Sequence, residues 1–399
     1  MTETTLKRRL GPGLLILYGI GIMVGAGIYV LVGAVAGRAG IYAPVSFLLA
    51  GLAALPTALS YAELSGRIPV ASGEAAYVEQ GLGRHRLAVF VGFAIVVAGT
   101  ISAAAILRGG VGYLTGIVDI SWIFAICAIG LALTLVAVIG VLESLALAAL
   151  FTLLEVGGLL MVGWAGFSAP PVMDFSDLSN LPAPVWTGIA AASVLAFYAF
   201  IGFEDLVNMA EEARNPARTM PLVVLTSLVI TALLYALVSL AALRAVAPEA
   251  LAASDRPLAL VWQAATGGNA GFLSSIAVVA ALNGVLAQIV MASRVLFGLG
   301  RRSAPLAVFK RVHPRFGTPA LATLLIGALV VLMALSLPVA VLAEYTSLVL
   351  LTVFIIVNAA LIGLKAQGGV AQFSVPVYVP WLGILTSLAM IGANFLHVA

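Results

Sequence analysis

Long apolar runs alternate with short polar or charged breaks along the whole chain, and the alternation sets its predicted architecture. Runs at 13–37, 43–65, 86–116, 121–141, 143–167, 184–211, 219–246, 271–299, 318–337, 339–364 and 375–397 match the roughly 20 apolar residues that cross a bilayer as a helix. A lipid-exposed backbone must satisfy its own hydrogen bonds, so the pattern predicts an all-α integral membrane protein with about eleven transmembrane helices.

Two runs break their own pattern. In the first, Gly19, Gly21, Gly25, Gly27 and Gly33 interrupt a background of Ile, Val, Met and Leu, although glycine inside a helix costs roughly 1 kcal/mol relative to alanine. Close packing through Gly21-x-x-x-Gly25 and Gly33-x-x-x-Gly37 is one reading. A helix unwound near Val24 to Gly27, turning free N–H groups towards a ligand, is the other. In the sixth run, Gly202 is closely followed by Glu204 and Asp205, and carboxylates at that depth are costly unless they face protein, water or a partner. The two interrupted runs lie five spans apart, an odd number, so they begin on opposite sides of the membrane. Two inverted five-helix repeats, 13–167 and 184–364, produce that arrangement, with a binding site where the broken helices meet. The segment 375–397 is then an extra helix, and 1–399 a single transmembrane domain.

Composition narrows the class further. The chain is 63% hydrophobic and 9% charged, whereas soluble domains carry roughly 25% charged residues. The first run is span-length and follows Lys7, Arg8 and Arg9 directly, so a cleavable signal peptide is not expected. Cys127 is the sole cysteine and the three histidines fall in loops or near the chain end, so no disulfide, metal set or cofactor is expected. Fourteen of the nineteen Lys and Arg fall in loops on the side of the N-terminus, against Arg38, Arg244 and Arg256 on the other. The positive-inside rule then places the N-terminus in the cytoplasm and, with an odd number of spans, the C-terminus outside.

Four loops stand out. The stretch 66–86 contains GEAAYVEQGLG and predicts an amphipathic helix lying at the interface. The outer stretch 169–185 carries Asp174 and Asp177, and 248–268 is expected to fold back over the outer mouth. The most basic loop, 301–318, reads as a positive-inside determinant ahead of a lipid or nucleic-acid site; no nucleic-acid partner is expected.

Several blocks also carry a family resemblance. GIGIMVGAGIYVL (19–31), YAELSGRIPVASGEAAYV (61–78), GVLESLALAALFTLLEVGGLLMV (140–162), FYAFIGFEDLVNMAEEARNPARTMP (197–221) and ASRVLFGLGRRSAPLAVFKRVHPRFGTP (292–319) occur in unbroken order. Through them the chain resembles the amino acid–polyamine–organocation transporters, and is most similar to the cationic amino acid transporters and their bacterial relatives. The resemblance implies the five-plus-five inverted-repeat fold typified by the bacterial leucine transporter. It departs from members with twelve or more spans. It also implies secondary active transport of an amino acid by alternating access in the cytoplasmic (plasma) membrane, coupled to a proton or, second, to sodium. An exchanger, a polyamine or organocation transporter, and a non-transporting amino-acid sensor on the same scaffold remain as alternatives. Membrane lipid is the other expected partner, and the resemblance leaves the oligomeric state open. A channel would call for a selectivity filter or charged pore ring, and an enzyme for a nucleophile–base pair; the sequence offers neither.

Carried over residue by residue, the resemblance gives the amides of Gly25, Ala26 and Gly27 the substrate carboxylate, held at a half-helix N-terminus. Carbonyls near Met23, Tyr198, Ala199 and Ile201 would accept from the ammonium, with Phe200 in the same substrate-binding set. Tyr198 would lid the substrate, or else merely fill space. Gly27 is expected to tolerate no branched side chain, and Gly33, on the helical part, to be milder. Glu204 lies where relatives keep a carboxylate linked to proton coupling, with a structural role as the alternative. Glu155, in FTLLEVGGLL, sits near the bilayer midplane where relatives place Lys or Asn. It is expected to exchange a proton, or second to ligate sodium, the structural alternative being a hydrogen bond to Asn283 or Arg108. Asn283 falls where sodium-coupled members use a hydroxyl, and Arg108 is expected to partner a carboxylate ahead of contacting substrate. Glu63, Glu211 and Glu212 are expected as gate or loop hydrogen-bonding groups. The third span has no acid between Ala88 and Gly116, which weakens a cationic substrate and leaves a neutral one open.

Overall fold

A computed structural model describes residues 10–69, 73–140, 145–172, 183–211, 213–368 and 371–398. Among these residues the chain is helical, with one isolated bridge between Leu10 and Ala213. The first run is split into α1 (Pro12–Val24) and α2 (Ala26–Ala39), followed by α3 (Ala43–Arg67), α4 (Gly73–Leu82), α5 (His85–Leu114), α6 (Trp122–Ile139) and α7 (Leu145–Ser168). The second split run gives α8 (Trp186–Phe197) and α9 (Phe203–Leu206), then α10 (Pro216–Ala245), α11 (Pro248–Ala252), α12 (Pro257–Thr266), α13 (Gly271–Arg302), α14 (Ala320–Ser336), α15 (Val339–Ala366) and α16 (Tyr378–Val398).

Nine helical stretches among the described residues are long and apolar enough to cross a membrane, and Pro12–Val24 and Ala320–Ser336 are shorter apolar helices. The packing fits a multi-pass membrane protein. The outward faces of α6 and α7 carry Phe124, Leu131 and Trp164, all largely exposed, the inverse of a helix that faces water. The buried faces of α5 and α3 pack along α13 and α10 respectively.

Of the loops singled out in the sequence, one departs from its expected course. The helix α4 does not lie on the interface: Glu74, Ala76, Tyr77 and Val78 are buried, and α4 packs into the bundle against α5 and α15. Glycine makes this possible, because a β-carbon on Gly81 would overlap the Ala360 carbonyl. The 248–268 stretch does fold back, as α11 and α12 packed on α2. Its backbone lies so close that a β-carbon on Gly33 would overlap the Leu251 carbonyl. Gly33 is therefore not the tolerant position expected from its helical setting. Of the 169–185 loop, Asp174 and Asp177 lie outside the described residues.

Ion pairs fasten α15 at both ends. Near its start, Glu344 pairs with Arg38 at the end of α2, 2.8 Å apart. Near its end, the Lys365 Nζ donates to both carboxylate oxygens of Glu63 at 2.8 Å. The fully buried Glu63 also pairs with Arg67 at 2.6 Å and accepts the Val375 N–H at 2.7 Å. Glu63 thus joins α3, α15 and the segment leading to α16. The Glu211 side chain and Glu212 lie outside what is described.

Candidate functional site

The first break is a single residue wide. Gly25 turns the chain with φ −30° and ψ −157°, while its N–H still closes α1 on the Gly21 carbonyl at 3.2 Å. The Gly25 amide is therefore spent, which corrects its place in the expected anion cradle. The opening amides of α2, those of Ala26, Gly27 and Ile28, are the end donors that a helix start leaves without an intrahelical acceptor. Ile28 was not anticipated; its signal is its third place in the half-helix.

The second break is longer. After Phe197 the helix tightens into a 3-10 turn over Tyr198–Phe200, Ile201 is extended, and Gly202 reverses the chain at φ 129°, a conformation that favours glycine. Glu204 reaches back from the next turn, and its Oε2 accepts the Gly202 N–H at 2.9 Å. One oxygen of this carboxylate thus secures the break itself.

The two breaks touch. A β-carbon on Gly27 would lie 3.2 Å from the Ala199 Cα, and one on Gly202 would overlap the Ile22 side chain. Tyr235 of α10 stands between them, its hydroxyl 2.5 Å from the Met23 carbonyl and 2.9 Å from that of Ala199. A hydroxyl has one proton to donate, so the two carbonyls share it. Tyr235 escapes a search for interrupted helices, since it sits in an unbroken span. A signal exists in its spacing: Ser227, Thr231, Tyr235 and Ser239 recur every four residues, one hydroxyl stripe on an apolar helix.

These contacts revise the expected ammonium site. The Met23 and Ala199 carbonyls already accept from Tyr235, and the Tyr198 carbonyl accepts the Ile201 N–H at 3.2 Å. The Ile201 carbonyl accepts no hydrogen bond among the described residues. The Phe200 ring faces away, packed on Tyr235 at 5.2 Å and against Gly51 of α3. Tyr198 is buried, its hydroxyl 3.1 Å from both the side chain and the carbonyl of Ser102 on α5. A narrow cleft of about 260 Å³ of empty space opens beside it, walled by Ser102, Ile201, Glu204, Asp205, Gln288 and Thr346 among others. Among the described residues none of the first break lines this cleft; Ala199 and Tyr198 cover Gly27.

The remaining site residues separate. Glu155 lies on α7 with 4% of its surface exposed, and its Oε2 has no hydrogen-bond partner among the described residues. The Tyr29 hydroxyl of α2 donates to the Glu155 backbone carbonyl at 2.7 Å. Neither expected side-chain partner engages it. Arg108 donates to the Ala334 carbonyl at 2.6 Å and stacks on the Trp122 ring at 4.9 Å. That places it at the negative end of α14, where a cation is favoured, and removes it from carboxylate pairing. Asn283 stays half-buried on α13 and does not hydrogen-bond Glu155.

A family model described as amino acid permease matches residues 14–398. The branched-chain amino acid permease BcaP of Bacillus subtilis (strain 168) is 31% identical over 418 residues, covering 98% of this chain and 88% of that protein. Cationic amino acid transporter 9, chloroplastic, of Arabidopsis thaliana is 32% identical across 78% of this chain and 58% of its own length. Cationic amino acid transporter 4 of Homo sapiens is 31% identical across 92% of this chain and 61% of its own length. The chain spans about three fifths of the length of those two transporters.

Proposed function

The chain belongs to the amino acid permease family, and from that premise we propose that it is a secondary active amino acid transporter working by alternating access. The observation that carries the proposal is the meeting of two interrupted helices, Gly27 against Ala199 and Gly202 against Ile22, under one shared hydroxyl. Half-helix ends at membrane depth offer donors and acceptors that a continuous helix lacks. In this reading the amides of Ala26, Gly27 and Ile28 hold the substrate carboxylate. The carbonyl of Ile201, beside the cleft, accepts from the ammonium. Substrate entry then requires Ala199 and Tyr198 to withdraw from Gly27, and Tyr198 acts as the lid, released from Ser102.

The matching interruptions support two inverted repeats, 13–167 and 184–364, with 375–397 added, and the charge asymmetry supports a cytoplasmic N-terminus. Glu155 is the proton carrier in this reading, sodium being the second choice. Glu204 ranks behind it because one of its oxygens is engaged at the Gly202 N–H.

Uptake into liposomes by the purified chain tests the proposal. Saturable, stereoselective accumulation of a labelled amino acid under a proton gradient is expected, and a competition screen with the twenty amino acids and polyamines names the substrate. Binding without flux would make the chain a sensor, and flux only against internal amino acid an exchanger. Single cysteines at Ser303 and Asp177, in a Cys127→Ala background, should label from opposite sides; labelling from one side would overturn the inverted repeats.

A further inference from the structure

The loop after α13 is more than a run of positive residues. The 3-10 segment Ala304–Lys310 doubles back on the end of α13, so that a β-carbon on Gly300 would lie 2.8 Å from the Lys310 nitrogen. The far end of the loop is tied to α6 by Thr318, whose hydroxyl donates to the Val138 carbonyl at 2.5 Å. From the other side the start of α5 joins the same surface: His85 Nε2 lies 3.3 Å from the Arg302 carbonyl. Arg84 and Arg86 flank that contact and are exposed. Folding thus gathers cations from two separate sequence regions, Arg301, Arg302, Lys310, Arg311 and Arg315 being exposed alongside them.

Two further features give this surface a direction. Val308 and Val312 are 46% and 48% exposed among the cations, apolar groups that water disfavours but the headgroup–acyl boundary accepts. The surface also lies where α5 begins and α13 ends, both of them span-length helices, so it sits at the level where those helices leave the bilayer. The sequence from Phe297 to Thr318 contains no acid. Among the described residues Glu79 supplies one counter-charge, pairing with Arg302 at 3.1 Å and lying 3.1 Å from His85. Among the described residues the other cations of this surface form no ion pair.

We propose that this surface binds the anionic phospholipid headgroups of the surrounding bilayer, the phosphodiester lying between the ends of α5 and α13 with Val308 and Val312 seated in the boundary region. Guanidinium groups suit phosphate oxygens in a planar, forked geometry, and clustered cations beside a membrane helix attract acidic lipid. The proposal concerns anchoring and is independent of what is transported.

The test uses the full chain in nanodiscs of phosphatidylcholine with or without phosphatidylglycerol, counting retained lipid by native mass spectrometry. Wild type should retain phosphatidylglycerol over phosphatidylcholine by about tenfold or more, with the preference falling as salt rises. The combined variant Arg301→Gln, Arg302→Gln, Lys310→Gln, Arg311→Gln should lose it. Arg214→Gln with Arg218→Gln, cations elsewhere in the chain, should keep it. A wild type without preference, a preference insensitive to salt, or retention in the four-residue variant each overturns the proposal. So does displacement by soluble glycerol phosphate at matched ionic strength, which would mark a site for free phosphate. Should the Gln variant fail the helical signature in circular dichroism, the salt titration of wild type and the charge-keeping Arg301→Lys, Arg302→Lys, Arg311→Lys variant decide. Salt insensitivity of wild type counts against the proposal, and so does a Lys variant that keeps its preference at high salt.

Discussion

Gly202 rests on Ile22 so closely that its missing β-carbon would overlap the Ile22 side chain and lie 3.2 Å from the Ile22 carbonyl carbon. The contact locks the reversal of the second broken helix onto the last turn of α1. Two penalties therefore meet at Gly202→Ala: the collision, and a φ of 129° that costs about 1–3 kcal/mol for a residue with a side chain. The variant should lower the thermal midpoint in detergent and abolish substrate binding. Gly157→Ala, in open space on α7, should be neutral or stabilising in the same assay.

Tyr235→Phe keeps the ring contacts with Phe47 and Phe200 and removes only the shared hydroxyl. The net stability loss should be modest, about 1 kcal/mol. Substrate affinity, measured by thermal shift or exchange in liposomes, should fall further than that, because both carbonyls at the breaks lose their common donor. Full affinity in the Phe variant would remove Tyr235 from the site.

Glu155→Gln preserves shape and hydrogen-bonding capacity while removing the exchangeable charge. It should retain substrate binding and exchange but lose accumulation driven by a proton gradient. An unchanged gradient response would leave Glu155 with a structural role and pass the coupling question to Glu204.

The Glu74 carboxyl on α4 lies outside the spanning helices, and burial, reinforced by the nearby Asp205 charge, pushes it up from 4.5 to about 8. In the folded chain the neutral form is favoured. Its contribution to stability is complete below pH 4.5 and is lost as pH rises towards 8. The thermal midpoint should accordingly decline across that window, and Glu74→Gln should flatten the decline. An identical pH profile in the variant would show that another group sets it.

Glu63→Gln strips the charge from a carboxylate buried between Arg67 and Lys365. Breaking a buried pair by neutralising one partner costs about 3–5 kcal/mol, so the variant should be strongly destabilised. Lys365→Met in the Glu63→Gln background should recover part of the loss, the stranded ammonium being gone.

The breaks were legible because their residues are out of place: glycines in a helix, and Glu204 and Asp205 inside an apolar run. The roles of individual atoms were less so. Whether the Gly25 amide is free depends on whether α1 closes one residue earlier or later, a difference that residue identity does not encode. Glu63 and Lys365 are separated by 302 positions, and their meeting follows from packing rather than pattern. Arg108 illustrates the opposite limit: a cation inside an apolar run suggests a carboxylate, yet a helix end and a tryptophan ring satisfy it. The glycines of the first run proved to serve both purposes, Gly33 and Gly37 admitting α11 while Gly27 meets the second break.

The two ion pairs on α15 turn that helix into a lever. Glu344 and Lys365 are separated by about 32 Å of helix at 1.5 Å per residue. If the Arg38–Glu344 contact opens while Lys365 stays on Glu63, a tilt of about 10° about the Glu63–Lys365 joint carries the Glu344 end roughly 5–6 Å. The reverse tilt, with Glu344 held, swings Lys365 by the same distance. Under the alternating access proposed above, such tilts would let one helix open either side of the molecule without sliding, the pair that stays closed serving as the fulcrum.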